Sequence, residues 1–211
     1  MDHRLCRMFC VMLFSLLTTG LFAQQDFSAD VVDNSEKDSS TPAKIYAGKD
    51  KIRIEGSERN GRSGAMIINF ATQTTDILVA GRNIYMESSG NGPSSQRAFH
   101  FFRAADPENA CDEWRKMTAK PGGSCRKIGK EAVNGRSAVK YEGANDDGTT
   151  STVWIDSKLH FPVKWQGRNG NGGELRNIKE ESQPASLFVI PAGYQKLDVG
   201  SMGMPAGAKP H

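Results

Sequence analysis

Lys51-Ile52-Arg53-Ile54-Glu55 alternates charged and apolar side chains with a period of two. A strand sends successive side chains to opposite faces, so Ile52 and Ile54 share one face while Lys51, Arg53 and Glu55 share the other. Such a segment belongs to a sheet with a greasy side and a wet side. The same rhythm recurs outward from it. Phe27–Val32 and Ala43–Ala47 come before it, and Ala65–Phe70, Thr75–Ala80 and Asn83–Glu87 follow, the last two joined by Gly81-Arg82, which suits a type II′ hairpin. Further on, Asn134-Gly135 is the strongest short hairpin signal in the chain, linking Arg126–Ala132 to Ser137–Tyr141. Thr150–Asp156, Phe161–Gln166 and Glu174–Glu181 complete the pattern, with a glycine-rich tip at Asn169–Gly173 and a short turn of helix or edge segment at Ala185–Phe188. Asp146-Asp147-Gly148 reads as a turn.

Asp106-Pro107-Glu108 places a capping side chain before a proline, a helix start. The expected helix carries Ala110, Trp114 and Met117 on one face and stops before Pro121-Gly122-Gly123. About ten strands with one main helix define an α+β, mainly β class. The helix is expected to cover part of the concave face of a curved antiparallel sheet.

The start of the chain has the three parts of a secretory leader: Arg4 and Arg7, the apolar run Met8–Leu17, and small residues leading to Ala23. That run is too short to span a bilayer, which takes roughly 20 residues. Expected boundaries are a signal peptide over 1–23, one domain over 24–198, and a disordered tail over 199–211. Cleavage after Ala23 removes two arginines and one aspartate, so the formal net charge of +3 becomes +2. Charges are scattered, without the basic stripe of a nucleic-acid binder. The mature chain is expected to be periplasmic or secreted and not membrane-spanning.

Cys6 and Cys10 leave with the leader, and Cys111 and Cys125 remain. In an oxidising compartment that pair reads as a disulfide, worth roughly 3 kcal/mol for a loop of about 15 residues. No metal site is expected from two thiolates without nearby histidines. Nor is a cofactor, since the glycine runs do not open a helix after a strand. His100 sits among aromatic residues, His160 stands apart, and no nucleophile–base pair or carboxylate pair is evident. The chain therefore reads as a non-enzyme.

Apolar bulk on the sheet is the remaining signal. Met66, Ile68 and Phe70 share one face, Ile84 and Met86 share another, and Trp154 and Trp165 lie on neighbouring strands. Ile52, Ile54, Met66, Ile68, Phe70, Met86, Trp154 and Trp165 are the candidate lining of an apolar cavity, methionine being adaptable in such a place. Equally, these residues can simply fill a core.

Trp154-Ile155-Asp156-Ser157-Lys158-Leu159-His160-Phe161-Pro162-Val163-Lys164 resembles a strand–turn–strand of LolA-like proteins. Ser186-Leu187-Phe188-Val189-Ile190-Pro191-Ala192-Gly193-Tyr194 is similar to their closing F-x-x-P-x-G segment, and Phe27-Ser28-Ala29-Asp30 to their first strand. The resemblance covers most of residues 26–198 and is nearest to the bacterial families grouped as DUF4412. It implies a half-barrel over a hydrophobic cavity that holds a lipid or lipoprotein acyl chain. The carrier of that family latches its lid with an arginine. Arg53 stands in a comparable strand, but its alternation with Ile52 and Ile54 turns it away from the apolar face. The other reading is an envelope protein-interaction module with a filled core and no small-molecule ligand, a partner pairing with an exposed sheet edge.

Overall fold

A computed structural model of the chain describes residues 25–34, 42–56, 64–90, 99, 106–112, 124–144, 149–167 and 170–198. The expected leader, the tail, the Asp146-Asp147-Gly148 turn, Trp114, Met117, His100 and His211 lie outside the described residues.

Twelve strands form one open sheet: β1 (Phe27–Asp33), β2 (Ala43–Ala47), β3 (Lys51–Glu55), β4 (Gly64–Asn69), β5 (Thr74–Val79), β6 (Ile84–Ser89), β7 (Cys125–Val133), β8 (Arg136–Ala144), β9 (Thr150–Asp156), β10 (Pro162–Gln166), β11 (Gly172–Lys179) and β12 (Gln195–Lys196). Their order is β12-β6-β5-β4-β3-β2-β1-β11-β10-β9-β8-β7. Two antiparallel meanders, β1–β6 and β7–β11, are thus zipped together where β1 pairs with β11. The strand count exceeds the expected ten. One addition is β12, whose two residues pair in parallel with Ile84 and Tyr85 and are too short to leave a periodic signal.

Local chemistry explains the turns. Asn134 and Gly135 both take positive φ, 48° and 77°, as a type I′ hairpin demands. Between β5 and β6 the expected two-residue turn is replaced by a 3-10 turn, Ala80–Arg82, closed by Asn83 at φ 50°. The glycine-rich stretch before Glu174 is not all loop, because β11 already starts at Gly172. At Gly173 an added Cβ would lie 2.6 Å from the Trp165 indole and 2.8 Å from the Val32 carbonyl, so only glycine lets these groups approach.

The main core gathers Phe27, Ile45, Ile52, Ile68, Trp154, Leu159, Phe161, Val163 and Leu175. Across the seam the Phe27 and Phe161 rings meet edge to face at 5.1 Å. Strands β8 and β9 are buried on both faces. Ala138 and Trp154 join the main core, whereas their neighbours Val139, Tyr141, Val153 and Ile155 form a second cluster with Ala110. The Cys111–Cys125 disulfide, with S–S 2.04 Å, borders that second cluster. Tyr141 Oη donates to the Pro107 carbonyl at 2.7 Å. Residues 106–109 form a turn in which Asp106 Oδ1 accepts from the Glu108 amide at 2.8 Å, and helical backbone begins only at Ala110. The described part of the cystine-tethered segment therefore packs on β8 and β9, not over the residues expected to line a cavity.

Asp156 is buried to 1% exposure at the end of β9. Its carboxylate accepts from Arg136 Nε at 2.5 Å and from the amides of Lys158 and Leu159 at 2.8 Å each. Arg136 also reaches Glu180 at 2.9 Å, tying the β8 hairpin end to the chain after β11. A buried charge is tolerated when its lone pairs are filled this way.

Three substitutions, read by thermal or urea unfolding, test this packing. Leu175→Ala, at a position 1% exposed, is expected to cost about 3 kcal/mol. Ile128→Ala, at a position 46% exposed, should change stability by less than about 0.5 kcal/mol. Asp156→Ala leaves Arg136 short of a partner and should cost about 2–3 kcal/mol.

Candidate functional site

Cross-strand register assembles the site. Ala29 faces Ile45, Ile45 faces Ile54, Ile54 faces Met66, Met66 faces Ile77, and Ile77 faces Met86. Directly opposed residues share a face, so these six form one row across β1–β6. A second row beside it runs through Phe27, Ala47, Ile52, Ile68, Thr75 and Ser88. On the other flank, Val79 faces Ile84. We call this side the core face.

Burial changes along the row. Ile45 is 2% exposed, Ile54, Met66 and Met86 are half-buried, and Ile77 is 41% exposed. The face is a closed core at β1–β2 and opens by β5. Phe99 covers part of it, its ring centroid 6.1 Å from that of Phe70.

The eight candidate lining residues separate into three groups. Ile52 and Ile68 are fully buried in the main core. Ile54, Met66 and Phe70 are half-buried against that core, and Met86 stands beyond Ile77 on the same face. Ile84 and Met86, a separate pair in sequence, thus lie on the same face as Met66 and Ile68. The tryptophans come from β9 and β10 across the seam and join the same main core from there. Trp154 is 4% exposed, donates from Nε1 to Glu131 at 3.0 Å, and has Lys140 and Lys164 ammonium groups 4.9 and 4.8 Å from its ring centroid. Trp165 packs half-buried over Gly173. Ile77 is not among the residues that sequence singles out. Its alternation with Val79 is visible there, but only the pairing with Met66 and Met86 gives it a place.

The outer face of the same strands carries the charge. Arg53 points there, as its alternation requires, with Nε donating to Glu55 at 2.8 Å and Nη1 to the Leu187 carbonyl at 3.1 Å. Lys51 Nζ donates to the Phe188 carbonyl at 3.4 Å, and Lys196 pairs with Glu87 at 2.7 Å. The segment from Ala185 to Lys196 is thereby strapped across the outer face. That strap accounts for the burial of Phe188, which lies against Gly48. No role as a cavity latch remains for Arg53.

Asp76 faces Glu87 across β5 and β6 on this outer side. One of its carboxylate oxygens is shielded from solvent and has no hydrogen-bond partner among the described residues. Burial first, and the Glu87 charge second, hold its pKa above the ordinary carboxylate value; Lys196 and Lys51 pull the other way without prevailing.

Two clefts lie away from the apolar row. One of about 300 Å³ is bounded by Arg53, Glu55, Leu78 and Tyr194 on the outer face. Another of about 430 Å³ lies between Asn134, Arg136 and Arg176. None of the eight candidate residues lines either. Among the described residues no three His, Cys, Asp or Glu side chains converge as metal ligands, and no helix is long and apolar enough to cross a membrane.

Neither a protein-family model nor a curated protein matches the chain. Among solved structures, an uncharacterised conserved protein from Thermus thermophilus is similar over 82% of this chain and 90% of its own, with 13% identity and a TM-score of 0.54. PNGF-II is similar over 84% of this chain at 11% identity and a TM-score of 0.52, and this chain spans 32% of its length. These two likenesses show a shared fold. A LolA superfamily protein, NE2245 from Nitrosomonas europaea, is also similar over 80% of this chain and 91% of its own, at 10% identity and a TM-score of 0.34, which is too low to establish a common family.

The Asp76 arrangement makes a pH prediction. With a raised pKa the folded chain holds more protons than the unfolded one just above the ordinary carboxylate range, so stability falls as pH rises through that window. Asp76→Asn should raise the melting temperature at pH 8, and the gain should vanish near pH 4.

Proposed function

We propose that this protein is an extracytoplasmic, non-enzymatic binding protein that holds an acyl chain, free or on a lipoprotein, against the core face of β3–β6. One observation carries the reading: Ile54, Met66, Ile77 and Met86 stand in a single row from four adjacent strands and emerge from the core instead of closing over it. At a strand spacing near 4.8 Å the row is about 14 Å long. Each methylene fully withdrawn from water along it contributes about 0.8 kcal/mol, so about eight supply roughly 6 kcal/mol towards the cost of immobilising the chain. Two methionines in the row suit a chain of variable shape. The Cys111–Cys125 disulfide favours an oxidising compartment. The LolA-like sequence segments point the same way.

A module that recruits a partner by edge pairing is less favoured. Strand β7 ends the sheet, but its register shifts between Lys127 and Gly129, and Arg126, Lys127 and Lys130 crowd it with charge. Bulges and lysines are the usual means of blunting such an edge.

Native mass spectrometry of the chain purified from a bacterial periplasm, with uptake of a fluorescent fatty acid, tests the proposal. Expected are a lipid-bearing mass and saturable uptake. Ile77→Glu should weaken uptake at least tenfold while Ile128→Glu leaves it unchanged. A clean apo mass with no uptake would refute the reading.

A further inference from the structure

The core face of β3–β6 is not only apolar but uncharged. Lys51, Arg53, Glu55, Asp76 and Glu87 are the charged residues of these four strands, and all five lie on the outer face. Among the described residues of β3–β6, Thr75 and Ser88 are the hydroxyls on the core face, directly opposite each other in the row beside Ile77 and Met86. Thr75 is half-buried and Ser88 exposed, so this pair lies where the face meets water.

We infer that the ligand's polar end is uncharged, an ester or hydroxyl group as in an acylglycerol, and that Thr75 and Ser88 meet it. The inference rests on the acyl-chain reading above and adds the class of head group. Its physical basis is asymmetric cost. An ionised carboxylate or phosphate brought to this face finds no cation among the described side chains of β3–β6 on it, and an unpaired charge loses far more on leaving water than an ester or alcohol does. A hydroxyl pair can donate to an ester carbonyl and accept from an alcohol, satisfying either without a counter-charge. The nearest cations on these strands, Lys51 and Arg53, are committed on the opposite side to the strap carbonyls and to Glu55.

Three lipids with the same palmitoyl chain test this by native mass spectrometry at pH 8: palmitate, methyl palmitate and monopalmitoylglycerol. The glyceride and the methyl ester are expected to bind at least tenfold more tightly than palmitate. The double variant Thr75→Val, Ser88→Ala should lose several-fold in affinity for the glyceride and the methyl ester and leave the weaker palmitate binding little changed, a contrast that loss of folding would not produce. Palmitate binding as well as the neutral lipids would overturn the head-group assignment and leave the acyl-chain reading standing. Binding of none of the three would overturn both. If the double variant is unfolded by circular dichroism, Thr75→Val alone and the charge discrimination of the native chain decide the matter.

Discussion

The pairing of β1 with β11 is the constraint on which the rest of the molecule depends. Each meander on its own is a row of local hairpins. Joined at this seam, residues 140 or more positions apart come into register, Val31 against Leu175 and Asp33 against Gly173. Side chains from both halves then close a common core around Phe27, Phe161 and Leu175. Closing so long a loop is entropically costly, and it is offset only if many apolar contacts form at once. The seam also carries polar stitching on its exposed side, where Asp30 accepts from Asn177 at 2.7 Å and from Lys44 at 2.6 Å. Those bonds, Asn177 first, hold the Asp30 pKa below the ordinary carboxylate value, a contribution present at neutral pH and lost on acidification.

With the seam in place, the six-strand meander has one face committed to the core at β1 and β2. The same face continues outward along rows that nothing in the pleat interrupts. Covering is then a question of supply. The outer face of β3–β6 is covered by the C-terminal strap through carbonyls of Leu187 and Phe188 and through Lys196. Described residues cover the core face up to Phe99 and Phe70, and the row beyond them emerges at Ile77.

Much of this was legible from residue order. The alternation in Lys51–Glu55, the Asn134-Gly135 turn and the Cys111–Cys125 pair each carry a local physical signature, and each has its place in the fold. Failures were of two kinds. Strand β12 is too short to be periodic, and Gly172 and Gly173 read as loop because their need, room for Trp165, comes from another strand. Trp154 and Trp165 reach the core that Met66 also borders, but from the other half of the sheet. Sequence has no measure of the strands that separate them.

Residue order alone settles which side chains of a given strand point the same way, since the pleat alternates strictly along one chain. It also settles that the charges of Lys51–Glu55 stand opposite Ile52 and Ile54, although buried Ile67 and Leu78 share the charged face on the neighbouring strands. Which strands stand side by side is fixed only when the chain folds, and with it the row of Met66, Ile77 and Met86 and the place of Trp154 beneath two lysines. The difference is one of range. Alternation is set by neighbouring residues, whereas register between strands is set by burial that no single strand contains.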